Sequence, residues 1–119
     1  MGVILLIISI WIKNLIGKAA WLYSSIRAIH YGGYKEWLEW NKELAIANDR
    51  YGNVLLKYPL NEFTIKEDGY KFGNSKETIS SAIGKNEVID KLKPFGEKIN
   101  NVLSFLDKNH SIESIDNNV

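Results

Sequence analysis

The stretch Val3-Ile4-Leu5-Leu6-Ile7-Ile8-Ser9-Ile10-Trp11-Ile12 decides how this chain is read. Ser9 is its one clearly polar residue, so a helix formed here is apolar around its whole circumference and seeks apolar surroundings on every side. Ten residues at 1.5 Å rise cover about 15 Å, roughly half a hydrocarbon core, so a membrane span must also draw on the residues after Ile12.

Beyond Ile12 the pattern changes to helical spacing. Ile12, Leu15, Ile16, Ala19, Leu22, Tyr23, Ile26 and Ile29 share one face, and Lys13, Asn14, Gly17, Lys18, Ser24 and Ser25 share the other. Three arrangements fit. The helix crosses a bilayer with Lys13 and Lys18 snorkelling or facing a partner helix, the basic flank then favouring a cytoplasmic C-terminal side. Alternatively, it enters with its first ten residues and lies along the interface with the rest, where Trp11, Trp21 and Tyr23 are at home. The third arrangement is a core helix of a soluble domain or oligomer, since short apolar runs are ambiguous on periodicity alone. The residues expected to contact lipid are Ile4, Leu5, Leu6, Ile7, Ile8, Ile10, Trp11, Ile12, Leu15, Ile16 and Leu22. A cleaved signal peptide fits poorly, because the charges follow the apolar run and Ala19-Ala20 lies inside the amphipathic continuation, so the segment is expected to be retained.

Charge divides along the same line. Residues 1–30 carry Lys13, Lys18 and Arg27 with no acid, whereas the rest of the 119-residue chain carries twelve basic and fourteen acidic side chains. The basic excess therefore sits on the hydrophobic helix, which suits an anionic lipid surface, while the mixed remainder argues against nucleic acid as a partner. There is no cysteine, which excludes disulfides, a thiolate nucleophile and Cys-ligated zinc. About ninety residues remain beyond the first helix, enough for one small core.

Gly32-Gly33 ends the first helix and marks a hinge or domain boundary. A second helix fits Tyr34 to Ala47, with Tyr34, Trp37, Leu38, Trp40, Leu44 and Ala45 forming a broad apolar stripe that serves either as core or as an interface. Asn48 to Asn53 reads as a turn without the ligand pattern of a calcium loop. Val54 to Tyr58 reads as a short buried element ended or kinked by Pro59. Phe63-Thr64-Ile65 and Tyr70-Lys71-Phe72 alternate about Glu67-Asp68-Gly69 and predict a β-hairpin; the alternative is a helix from Val54 to Ile65 followed by a loop. Asn74-Ser75-Lys76-Glu77 predicts a capping box opening a helix that stops at Gly84. A last helix begins near Pro94 and carries Phe95, Ile99, Val102, Leu103 and Leu106, with Asn109 closing it.

The densest cluster of reactive side chains lies in Glu77 to Asn86. It fails as a phosphate loop, since Ile79 stands where the first glycine is needed and Asn86 replaces the magnesium-binding hydroxyl. Ser81 and Lys85 are four apart and share a helix face, but the lysine would need desolvation to act as a base. His110 is a candidate general base or ligand with Glu77 or Asp107 to orient it; its plainer reading is an exposed side chain at a helix C-terminus, and His30 invites the same reading. Glu77 likewise has a structural task in the capping box. Two histidines without carboxylates at ligand spacing assign no metal, and no cofactor is expected.

The run Phe72 to Lys85, containing Glu77-Thr78-Ile79-Ser80-Ser81 and Gly84-Lys85, with Asp107-Lys108-Asn109-His110 some two dozen residues later, resembles a pattern in short bacteriophage and prophage-associated proteins of unknown function. The likeness covers about residues 50–115. Lys76 stands where those proteins carry an acid before the glutamate, which departs from the pattern. The resemblance implies a viral or prophage origin and a grouping of Glu77, Ser80, Ser81, Lys85 and His110; it implies no activity.

The expectation is thus a mainly α protein: a membrane-associated helix over 1–31, a small helical domain over 34–110 with a β-hairpin near 62–73, and a flexible tail over 111–119. Its expected role is a membrane-attached accessory or interaction protein, non-enzymatic in the first reading, whose partners are membrane lipid and either another protein or a second copy, with no small-molecule substrate identified. The rivals are a small hydrolase using His110 with Glu77 or Ser81, and a membrane-perturbing lysis protein or toxin.

Overall fold

The computed structural model describes residues 1–106 and 110–119. The fold is mainly α-helical, with a long N-terminal helix followed by a small helical part. Its elements are α1 (Gly2–Leu55), α2 (Lys57–Phe63), α3 (Ile79–Val88), α4 (Pro94–Leu106) and α5 (His110–Glu113). Two compact units divide the chain, Met1–Glu43 and Leu44–Val119. The boundary therefore falls ten residues beyond the glycine pair.

The first unit is a helical hairpin. Gly33 breaks α1 with φ 72° and ψ −164°, a backbone region that is essentially closed to residues with a Cβ. The chain reverses there, and Trp37 meets Trp21 edge to face with ring centroids 6.5 Å apart. Trp21 Nε1 donates to Asn41 Oδ1 at 2.9 Å, while Asn41 Nδ2 donates to the Trp37 carbonyl at 2.8 Å. Small side chains make this approach possible: Ser25 is buried and Ser24 and Ala28 are half-buried in the seam. Trp37 accordingly packs within the unit, in line with the core reading of the second helix's stripe.

The apolar side of the first arm stays bare. All eleven residues expected to contact lipid are exposed, from Ile10 at 39 % to Leu15 at 74 %. This helix is long and apolar enough to cross a membrane, and none of its most apolar stretch is buried within the protein.

The second unit is built around Leu60, Ile65, Phe72, Ala82, Ile83 and Leu92, with Tyr70, Ile79, Ile99 and Leu103 packed against them. α1 continues helically through 48–53, where the sequence predicts a turn; its Asp49 and Asn53 face inward and bond residues 73–80. Pro59 lies in the first turn of α2, where its missing N–H would have no helical acceptor.

The expected β-hairpin near 62–73 is absent, and no strand occurs among the described residues. Ile65 instead forms an isolated antiparallel bridge with Leu92, with Lys66 N donating to Lys91 O and Lys93 N to Thr64 O. The other half of the supposed hairpin has no regular secondary structure and pairs with asparagine side chains. Asn86 accepts from Tyr70 N and donates to Tyr70 O, both at 2.8 Å, and Asn61 accepts from Phe72 N at 2.7 Å and donates to Phe72 O at 3.2 Å. Asn53 treats the following turn similarly, accepting from Gly73 N and donating to the carbonyls of Asn74 and Glu77. Three amides thus take the place of a neighbouring strand.

The capping box expected at Asn74 is also relocated. Asn74 Oδ1 accepts from Lys76 N in a local turn, and α3 begins later with Thr78 as N-cap, its hydroxyl accepting from Ser81 N. Gly84 does not stop α3. It lies inside the helix, buried, where a Cβ would come 2.1 Å from the Ser111 carbonyl oxygen, so its role is close helix approach. Pro94 does open α4 as expected. Of the α4 stripe, Ile99 and Leu103 pack on the core while Phe95 and Val102 are exposed. Asn109, expected to close that helix, lies outside the described residues. Residues 111–119, expected as a flexible tail, make specific contacts: Ser111 is buried and donates to Asn100 Oδ1, and Asp116 N donates to Ser81 Oγ at 2.8 Å.

Candidate functional site

Glu77, Ser81 and Lys85 do come together. They follow one another at four-residue steps into and along α3, which stacks them on one helix face. Asp49 fixes the start of that helix from α1, accepting from Ile79 N at 2.8 Å and from Ser80 Oγ at 3.0 Å. Ser80 therefore belongs to a neighbouring contact and not to the cluster.

The Glu77 carboxylate is fully buried and accepts from three side chains. Tyr70 Oη donates to Oε1 at 2.8 Å, Ser81 Oγ donates to Oε2 at 2.8 Å, and Lys85 Nζ lies 2.6 Å from Oε2. Lys85 also stands 4.5 Å from the centroid of the Tyr70 ring and donates to Tyr70 Oη and to the Val119 carbonyl oxygen. A buried carboxylate is tolerated because every donor it needs is supplied within the second unit.

The proton positions follow from this geometry. Burial works to lower the Lys85 pKa, but the hydrogen bonds with Glu77 and Tyr70 and the glutamate charge outweigh it and hold the ammonium above the ordinary lysine value. Burial, reinforced by the hydrogen bond to Glu77, pushes the Tyr70 phenol above its usual value. Lys85 is thus a fixed cation rather than a base. The Ser81 hydroxyl is 1 % exposed, spends its proton on Glu77 and receives the Asp116 amide, which leaves a substrate no approach to its oxygen. The desolvation that a Ser81–Lys85 nucleophile pair requires is present and does work to lower the lysine pKa, but the carboxylate buried beside the ammonium and the Tyr70 hydroxyl outweigh it.

His110 begins α5, but its side chain, like Asp107, lies outside the described residues, so the pairing of His110 with Glu77 or Asp107 falls there too. His30 stacks edge to face on Tyr31 at 5.3 Å between ring centroids. Among the described residues no three His, Asp or Glu side chains are grouped to hold a metal. A cleft of about 250 Å³ is lined by Glu87, Asp90, Leu92, Glu97, Asn100 and Asn101, and none of the cluster residues borders it.

Sequence reasoning misses Tyr70 and the three asparagines. Tyr70 reads as a hairpin residue, and an asparagine carries no pattern that reveals which distant backbone it will bond. The four-residue spacing of Glu77, Ser81 and Lys85 is the one usable signal. Compared with protein-family models, with curated proteins and with solved structures, the chain matches none.

Proposed function

We propose that this chain is a membrane-attached accessory protein whose second unit is a non-catalytic binding module. One observation carries the reading: the helix following Met1 presents Ile4 through Ile12, Leu15, Ile16 and Leu22 to its surroundings with none of its most apolar stretch buried. Exposed apolar surface on this scale marks an interaction surface. Lys13, Lys18 and Arg27, with no acid among the first thirty residues, favour an anionic leaflet and a cytoplasmic side for the second unit. The segment from Glu77 to Lys85 supports a phage or prophage setting through its resemblance to proteins of that kind.

A non-catalytic second unit is supported by the enclosure of Glu77, Ser81 and Lys85. Their hydrogen bonds are mutually satisfied and face inward, which suits a stabilising clamp. The test is extraction of membranes carrying the full chain with alkaline carbonate. Retention in the pellet is expected, and complete release into the supernatant would remove the reading.

A further inference from the structure

Within the first unit the return arm and the apolar stripe occupy opposite sides of the same helix. At 3.6 residues per turn, Ile8, Ile12, Leu15, Ala19, Leu22, Ile26 and Ile29 fall within an arc of about 100°. Their large members are exposed, Leu15 at 74 %, Leu22 at 57 %, Ile26 at 60 % and Ile29 at 51 %. Lys13, Asn14, Gly17, Lys18, Trp21, Ser24, Ser25 and Ala28 fall within about 140° on the other side. That second arc is where Trp37 and Asn41 dock, and the return arm adds Lys35, Glu36, Glu39, Lys42 and Glu43, all exposed. One side of the hairpin is therefore apolar from Ile8 to Ile29, and the other is polar or covered by a charged helix.

A helix that crossed the bilayer along its axis would use this surface badly. It would place Lys13 and Asn14 in the hydrocarbon region and leave Leu22, Ile26 and Ile29 in water beside the charged return arm. An in-plane helix satisfies both sides at once: the stripe meets acyl chains, Lys13 and Lys18 reach phosphates, and the return arm faces water. The stripe is continuous with the all-round apolar run over 3–12, which enters the hydrocarbon more deeply. From this continuity and the exclusively basic charge of the first arm, we infer that residues 13–29 lie along a lipid surface as one face of a hairpin paddle, with the return arm as its aqueous face. The inference rests on the membrane attachment proposed above and adds to it the orientation and the lipid-contacting residues.

The test exploits the absence of cysteine. Full-length variants Leu15→Cys, Leu22→Cys, Ile29→Cys and, as an aqueous control, Lys42→Cys are labelled with an environment-sensitive fluorophore. Each is reconstituted into vesicles of phosphatidylcholine and phosphatidylglycerol containing nitroxide lipids quenching at two depths. Equal, shallow depths for the first three labels and no quenching at position 42 are expected. A helix crossing along its axis would separate positions 15 and 29 by about 21 Å of depth and overturn the inference while leaving attachment intact. Vesicle-bound protein with unquenched labels at 22 and 29 would also overturn it, pointing to a second copy or another protein on the stripe. Failure of the unlabelled chain to bind vesicles would remove attachment and inference together.

Discussion

Lys85 Nζ lies 2.6 Å from a Glu77 carboxylate that solvent does not reach, and the same carboxylate holds the hydroxyls of Tyr70 and Ser81. This pair ties the start of α3 to its middle and to the segment before it that carries Tyr70. Removing either partner leaves the other charge buried without its counter-charge, with only neutral hydrogen-bond partners left, so Glu77→Ala and Lys85→Ala should each destabilise the fold by about 3–5 kcal/mol in urea titrations. The double variant Glu77→Ala/Lys85→Ala should cost clearly less than the two single losses combined. Equal additivity would mean that the two groups do not act as a pair.

Alkaline pH should weaken the same unit. Both Lys85 and Tyr70 have folded-state pKa values raised above the ordinary 10.5 and 10.0. A raised pKa contributes stability that is fully present below the unfolded value and is lost as pH rises through the folded value. Stability should thus be flat from these two groups at neutral pH and fall above about pH 10, and Tyr70→Phe with Lys85→Met should flatten that fall.

Gly84→Ala offers a test of the packing between α3 and α5. Alanine favours an isolated helix by about 1 kcal/mol over glycine, yet here its Cβ would meet the Ser111 carbonyl oxygen at 2.1 Å. Overpacking should win, destabilising the unit by about 1–3 kcal/mol and lowering hydrogen-exchange protection in residues 111–116. A stabilised variant would show that the tail contributes nothing at this position.

Gly33→Ala should disturb the first unit alone. The φ of 72° with ψ −164° costs a residue with a Cβ about 1–3 kcal/mol, enough to open a short hairpin held by Trp21, Trp37 and Asn41. Tryptophan fluorescence should shift to the red, and the urea midpoint of the second unit should not move.

How much of the fold is legible in the sequence depends on how local each cause is. The first helix is legible because its apolar residues are neighbours in sequence, and α4 because Pro94 and the three- and four-residue steps act within one helix. The segment 70–72 does not form the strand that its alternation predicts and is bonded by a side chain instead, since alternation signals exposure to two environments and not the identity of the neighbour. That partner is Asn86, sixteen residues from Tyr70. Gly84 looks like a helix stop because a glycine's demand for conformational freedom and its demand for close approach leave the same letter. Glu77 reads as part of a capping box, whereas its burial depends on Tyr70 and the folded α3 together. The tail looks loose because its contacts are polar and use Ser81 and Asn100 from other elements.

Flotation of the full-length chain with phosphatidylcholine–phosphatidylglycerol vesicles tests membrane attachment most directly. The account predicts that the protein rises with the vesicles and that Ile8→Asp/Leu15→Asp, which charges two exposed positions and no core residue, abolishes flotation without lowering helix content. Full-length protein that stays at the bottom of the gradient, soluble and monomeric, would contradict it.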